Sequence, residues 1–166
     1  MSSIGEDRSG KCDSLTDSAD SAARSGLSPD GQRCEWHLRS VESAIPWMRK
    51  GLRAFLADTS LSDDERADLV LASCEAATNA VDHAQQPTEP FFDVVIEIAD
   101  GAVTVVVRDY GQWQRPTSEP YRGRGLAMMR VLADTTVTPC ASGTTVTLRN
   151  HRAGTESVVE EAGRAS

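Results

Sequence analysis

Asp100-Gly101 lies between two runs of alternating polarity, and that arrangement limits the fold more than any other feature of the chain. Residues 91–99 (FFDVVIEIA) and 102–109 (AVTVVVRD) are rich in β-branched and aromatic side chains at a period of two. This is the spacing of a strand with one buried face. Asp-Gly suits a two-residue hairpin turn, whose central positions take positive φ. The two strands are therefore antiparallel, and the apolar face they share must find cover.

The chain supplies that cover upstream. Over residues 41–58, Val41, Ala44, Ile45, Met48, Leu52, Phe55 and Leu56 recur at helical spacing. Pro46 falls near the start, where a missing N–H does little harm. Ser62 with Glu65 three residues on is a capping-box pattern, and it opens a second helix expected over residues 63–84. The packing side of that helix is Leu69, Val70, Ala72, Ser73, Ala76, Ala77 and Ala80. Its alanine-rich last turns let it sit close to a sheet or leave room for a ligand, and Gln86-Pro87 ends it.

Residues 34–38 (CEWHL) alternate and read as a short first strand, and residues 125–133 (GLAMMRVLA) as a short apolar helix. Residues 135–140 and 144–149 form a closing hairpin around Ala141-Ser142-Gly143. Residues 110–122, with two prolines and no period, form a loop long enough to carry function. The order β-α-α-β-β-loop-α-β-β predicts an α+β two-layer sandwich: a mixed, mostly antiparallel sheet with helices on one face.

At 166 residues and 39% apolar content the chain fits one domain. Residues 1–33, dominated by Ser, Asp, Gly and Ala with no aromatic side chain, are expected to be a disordered leader. Residues 151–166 are expected to be a disordered tail, which leaves residues 34–150 as the folded domain. A net charge of −8 argues against nucleic-acid binding, which depends on neutralising phosphates. Cys12, Cys34, Cys74 and Cys140 make no metal-binding spacing and read as free thiols of a reducing compartment. With no signal region and no membrane-length apolar run, the expected location is the cytoplasm.

Chemistry concentrates in four segments. Glu75, Asn79 and His83 fall at i, i+4 and i+8 of the second helix, on one face. A carboxylate beside an amide oxygen is what a Mg²⁺ ion carrying a nucleotide could use, because Mg²⁺ takes few protein oxygens. The same stripe also suits a solvated helix face. Asp109-Tyr110-Gly111 follows a buried-looking strand, where Asp109 can accept from the amine of a base and Gly111 lets the backbone come close to a ring. Gly123-Arg124-Gly125-Leu126 opens the short helix, whose amides and N-terminal charge suit a phosphate, with Arg122 and Arg124 beside it. Gly143-Thr144-Thr145 leads into the last strand, and is also an ordinary hairpin turn.

In this order and spacing, the four segments resemble the Bergerat-type ATP-binding fold of DNA gyrase, the ninety-kilodalton heat-shock chaperones, histidine kinases and MutL. The resemblance covers residues 62–149, and within that superfamily it is strongest to the stand-alone anti-sigma-factor serine/threonine kinases. It implies ATP and Mg²⁺ as ligands. Glu75 becomes the general base, Asn79 the Mg²⁺ ligand and His83 a supporting position. Asp109 reads the adenine amine, Gly111 makes room for the ring and Thr145 supports the pocket. Gly123 and Gly125 carry phosphate-binding amides, with Arg122 a γ-phosphate contact and residues 110–122 the lid. Trp113 stands where the family often has a second glycine, which alters the start of that lid.

The partners implied are an anti-sigma-factor antagonist as substrate and a sigma factor to be sequestered. A homodimer through the region around Trp36 and Val41 is also implied. The alternative is an ATP-binding regulatory protein with little or no turnover. A histidine-kinase module would need a phospho-accepting histidine on a long helical hairpin, and His37 lies in a strand-like context.

Overall fold

Asp100 and Gly101 take φ of 51° and 72°, both positive, as the tight hairpin turn requires. The structure containing that turn is a computed structural model that describes residues 22–28, 31–82, 84, 86–111 and 124–151. The elements are β1 (Ala22–Ser28), β2 (Gly31–Arg39), α1 (Ala44–Leu56), α2 (Asp63–Asp82), β3 (Phe91–Ala99), β4 (Ala102–Arg108), α3 (Arg124–Leu132), β5 (Asp134–Cys140) and β6 (Gly143–Arg149). They form an α+β sandwich. The six strands run β1-β2-β3-β4-β6-β5, and every adjacent pair is antiparallel.

Register explains the single covered face. Trp36 pairs with Val94, Val94 with Val107, Val107 with Val146, and Val146 with Val137, so one row of apolar residues crosses the sheet from β2 to β5. Trp36, Val94 and Val107 are buried, as are their period-two neighbours Leu38, Phe92, Ile96, Val105 and Leu148. Met48, Leu52 and Leu56 of α1, Leu69, Ala72, Ala76 and Ala77 of α2 and Met129 of α3 complete this core. Each large side chain removed from water contributes about 1.5–3 kcal/mol. Alanine on α2 lets that helix pack against β3, β4 and β6 while also touching α1 and α3.

The capping box forms as the sequence predicts. The Glu65 amide donates to Ser62 Oγ at 3.2 Å, and the Ser62 amide donates to Glu65 Oε2 at 2.8 Å.

Three expectations need correction. The region expected to be a disordered leader includes β1 and the start of β2, which pair from Ala22↔His37 to Ser28↔Gly31. An edge strand is held by backbone hydrogen bonds and needs no apolar pattern of its own. Ser28-Pro29-Asp30-Gly31 carried the turn chemistry that marks it. Residues 1–21 and 152–166 lie outside the described residues. Trp36 offers no dimer surface: it is fully buried, in edge-on contact with Trp47 at 5.7 Å, although Val41 is 44% exposed. Cys34 is disulfide-bonded, against the reading of four free thiols, while Cys74 and Cys140 are free. Among the described residues, no helix is long and apolar enough to cross a membrane.

Candidate functional site

Three glycines mark close approaches between segments: Gly125 to α2, Gly111 to Ala84 just beyond it, and Gly143 to Asp109. Glu75 and Asn79 stand one turn apart on α2 and are half-buried, while Cys74, Ala76, Ala77 and Ala80 around them face the core. Gly125, in the first turn of α3, lies directly against Glu75. A Cβ there would fall 2.9 Å from Glu75 Cδ and 3.1 Å from its Cγ, and closer still to Oε1. The Glu75 carboxylate thus sits at the N-terminal end of α3, where backbone amides favour negative charge.

Gly111 repeats the arrangement at the far end of α2. A Cβ on it would meet Ala84 at 2.6 Å from Cβ, 2.7 Å from Cα and 2.8 Å from the carbonyl carbon. Such distances involve backbone and cannot be relieved by a rotamer change. Gly143, at φ 143°, lies against the backbone of Asp109, with a virtual Cβ 2.9 Å from the Asp109 carbonyl carbon. Each glycine therefore marks a place where one segment approaches another too closely for a side chain.

Asp109 is where two of these segments meet. Its amide donates to the Thr144 carbonyl at 2.9 Å. Its Oδ1 accepts from the Gly111 amide at 2.9 Å and the Thr144 amide at 3.2 Å. Burial pushes the Asp109 carboxyl above its ordinary range, and those two amides pull it part of the way back. Thr144 is buried, and its hydroxyl finds no partner among the described residues. A buried hydroxyl without a partner among the described residues, one residue from a strand end and bonded through its backbone to a carboxylate, has donor and acceptor capacity left for a ligand. That pairing of a carboxylate with a hydroxyl fits the amine-bearing edge of a base.

The structure joins Glu75 to Gly125 and Asp109 to Gly111 and Thr144, with Asn79 one turn beyond Glu75 on α2. Arg124 is exposed at the start of α3, and Leu126 packs against the core. Thr145 is placed differently. Alternation along β6 turns Thr144 to the covered face with Val146 and Leu148, and Thr145 to the opposite one. Thr144 is thus the threonine beside Asp109. Period-two counting back from Val146 would have found it. His83, Arg122 and Gly123 lie outside the described residues, as do Trp113 and most of the expected lid.

Among the described residues, no three His, Cys, Asp or Glu side chains form a metal-binding group. A Mg²⁺ ion held here would rest on Asn79 and on the oxygens of a bound phosphate, the habit of a metal that is bound with its nucleotide. A separate groove of about 700 Å³ runs between α1 and α2, lined by Arg49, Arg53, Arg66 and Leu71 among others, and includes none of these site residues.

Residues 39–150, from the end of β2 through β6, match the family described as the histidine kinase-like ATPase domain. Among solved structures, the chain is similar to the RsbU and RsbW domains of Rv1364c from Mycobacterium tuberculosis, with 32% identity and a TM-score of 0.58. The match covers 70% of this chain and 32% of that one, so this chain spans about a third of the length of its relative. Matched over well more than half of its length, the chain belongs to the histidine kinase-like ATPase domain family.

Proposed function

We propose that this chain is an ATP-dependent protein serine/threonine kinase that phosphorylates an anti-sigma-factor antagonist and sequesters a sigma factor, thereby regulating transcription. The observation that carries the reading is the seating of Glu75 against Gly125, which sets a carboxylate beside the helix N-terminus suited to phosphate. Its similarity to a protein with an RsbW domain supports the switch role.

In this reading Asn79 gives its amide oxygen to Mg²⁺, and Asp109, with Thr144, accepts from and donates to the base. Gly123 and Gly125 present amides to phosphate, while Arg122 and Arg124 supply positive charge. Glu75 orients the acceptor hydroxyl of the partner protein and takes its proton. Bound Mg-ATP supplies the phosphoryl group. Phosphoryl transfer depends more on positioning and charge neutralisation than on covalent chemistry, so this small set of groups suffices.

Transfer of radiolabelled γ-phosphate to antagonist proteins tests the reading. Wild type should label a serine or threonine on the antagonist, and Glu75→Ala should bind ATP without labelling it. Wild-type binding of ATP with no transfer would instead make the chain a nucleotide-controlled binding protein. Transfer at the wild-type rate by Glu75→Ala would remove the general-base role.

A further inference from the structure

The Asp109 segment is anchored on both faces of the sheet. Alternation past the end of β4 turns Asp109 toward the helices and Tyr110 toward the open face. There the Tyr110 hydroxyl donates to Asp93 Oδ2 on β3, and the Arg108 guanidinium lies 5.0 Å from the centre of its ring. The other Asp93 oxygen, Oδ1, lies 2.5 Å from His37 Nδ1 on β2. The His37 ring stacks on Phe91 at 4.4 Å. The Tyr110 carbonyl accepts from the Thr88 amide at 3.0 Å and from its hydroxyl at 3.2 Å. Tyr110 is thus held at its side chain by β3 and at its backbone by the segment before that strand.

We propose that Tyr110 is a positioning residue for base recognition, holding the Asp109 carboxylate in place through its bond to Asp93 on the face of the sheet away from the pocket. The inference rests on the reading of Asp109 as the base-contacting group. One of the two amides that fix the Asp109 carboxylate belongs to Gly111, the residue after Tyr110. A change in the Tyr110 backbone therefore swings that amide away from Oδ1. Gly111 itself packs closely on Ala84, with no room for a side chain between them. A phenol donating to a carboxylate is among the stronger hydrogen bonds available to a side chain. Asp93 is well placed for the task because its side chain is only 20% exposed.

The consequence is a specificity effect from a side chain that never reaches the ligand. A carboxylate accepts from the exocyclic amine of adenine and repels the carbonyl at the same position of hypoxanthine. A site built to hydrogen-bond a group rejects the analogue that lacks it, and loses that rejection when its own polar atom is displaced. General loosening of the domain would weaken both nucleotides alike.

The test compares binding of Mg-ATP and Mg-ITP to wild type, Tyr110→Phe and Asp93→Ala by calorimetry. The second variant keeps the test open if the first folds poorly. The expected result is preference of wild type for ATP, reduced about tenfold in both variants. The double variant should be no worse than either single one, as for two members of one contact. An unchanged preference in both variants, or equal loss for both nucleotides, would overturn the role of Tyr110. If wild type bound ATP with no preference over ITP, the base-contacting role of Asp109 would fall first and this inference with it.

Discussion

The carboxylate of Glu75 rests on Gly125, and a methyl group on that glycine would displace it. The contact ties α2 to the first turn of α3. It explains why a helix carrying an acid and an amide at i and i+4 is packed beside a glycine-led helix.

Gly125→Ala should therefore uncouple the two. The added methyl falls on the Glu75 carboxylate, the end of a flexible side chain that must turn aside, so the loss should be at the low end of overpacking, about 1 kcal/mol. Chemical denaturation should show that loss, and the Glu75→Ala/Gly125→Ala double variant should recover part of it. Phosphoryl transfer should be absent from both.

Asp109→Asn should make the protein no less stable at neutral pH, and more so if the amide keeps both backbone contacts. Burial raises the carboxyl of Asp109 in the folded state, so the folded chain holds that proton more tightly than the unfolded one. The penalty is absent below the unfolded carboxylate range, about pH 3.9, and grows as pH rises through the folded value. Melting curves of wild type and Asp109→Asn should converge in acid and separate, in favour of the variant, toward neutrality. A gap that widened in acid would contradict the assignment.

Thr144 and Thr145 are adjacent, yet they should behave oppositely. Thr144→Val removes a buried hydroxyl that has no partner among the described residues, so the free protein should be as stable or slightly more stable. Nucleotide affinity should fall several-fold, by about 1 kcal/mol for one hydrogen bond. Thr145→Val alters the opposite face of β6 and should leave affinity unchanged. Equal effects from the two would show that strand alternation does not govern this pocket.

Much of the fold was legible because its elements carry strong local chemistry. Asp100-Gly101 fixed a hairpin, Ser62 with Glu65 fixed a helix start, and alternation from Phe91 to Arg108 fixed which face is covered. β1 was hidden because Ala22–Ser28 has no alternation. It is joined to β2 by backbone pairing, which leaves no trace in side-chain composition. Within the site, the residue types of the four segments were readable, and their meeting was not. The contacts of Gly111 with Ala84 and Gly143 with Asp109 join residues distant in sequence. The motif Gly143-Thr144-Thr145 does not by itself tell which threonine faces the helices; alternation along β6 does.

The capping box gives a prediction independent of the site. Ser62→Ala should destabilise the domain by about 1 kcal/mol, seen as a lower Tm. Hydrogen bonding from the Ser62 amide, then its hydroxyl, holds the Glu65 carboxyl below its ordinary range. A carboxyl lowered by folding contributes stability above its unfolded pKa, and that contribution is lost as pH falls through the folded value. The difference between Ser62→Ala and wild type should accordingly shrink in acid.

Calorimetric titration of Mg-ATP into wild type and Asp109→Asn tests the central claim, that α2, the Asp109 turn and the start of β6 build one nucleotide pocket. The account predicts saturable binding at one site per chain and at least about tenfold weaker binding by Asp109→Asn, the cost of leaving a ligand amine without its charged acceptor. Absence of Mg-ATP binding by the wild-type chain, or equal affinity in the variant, would contradict it.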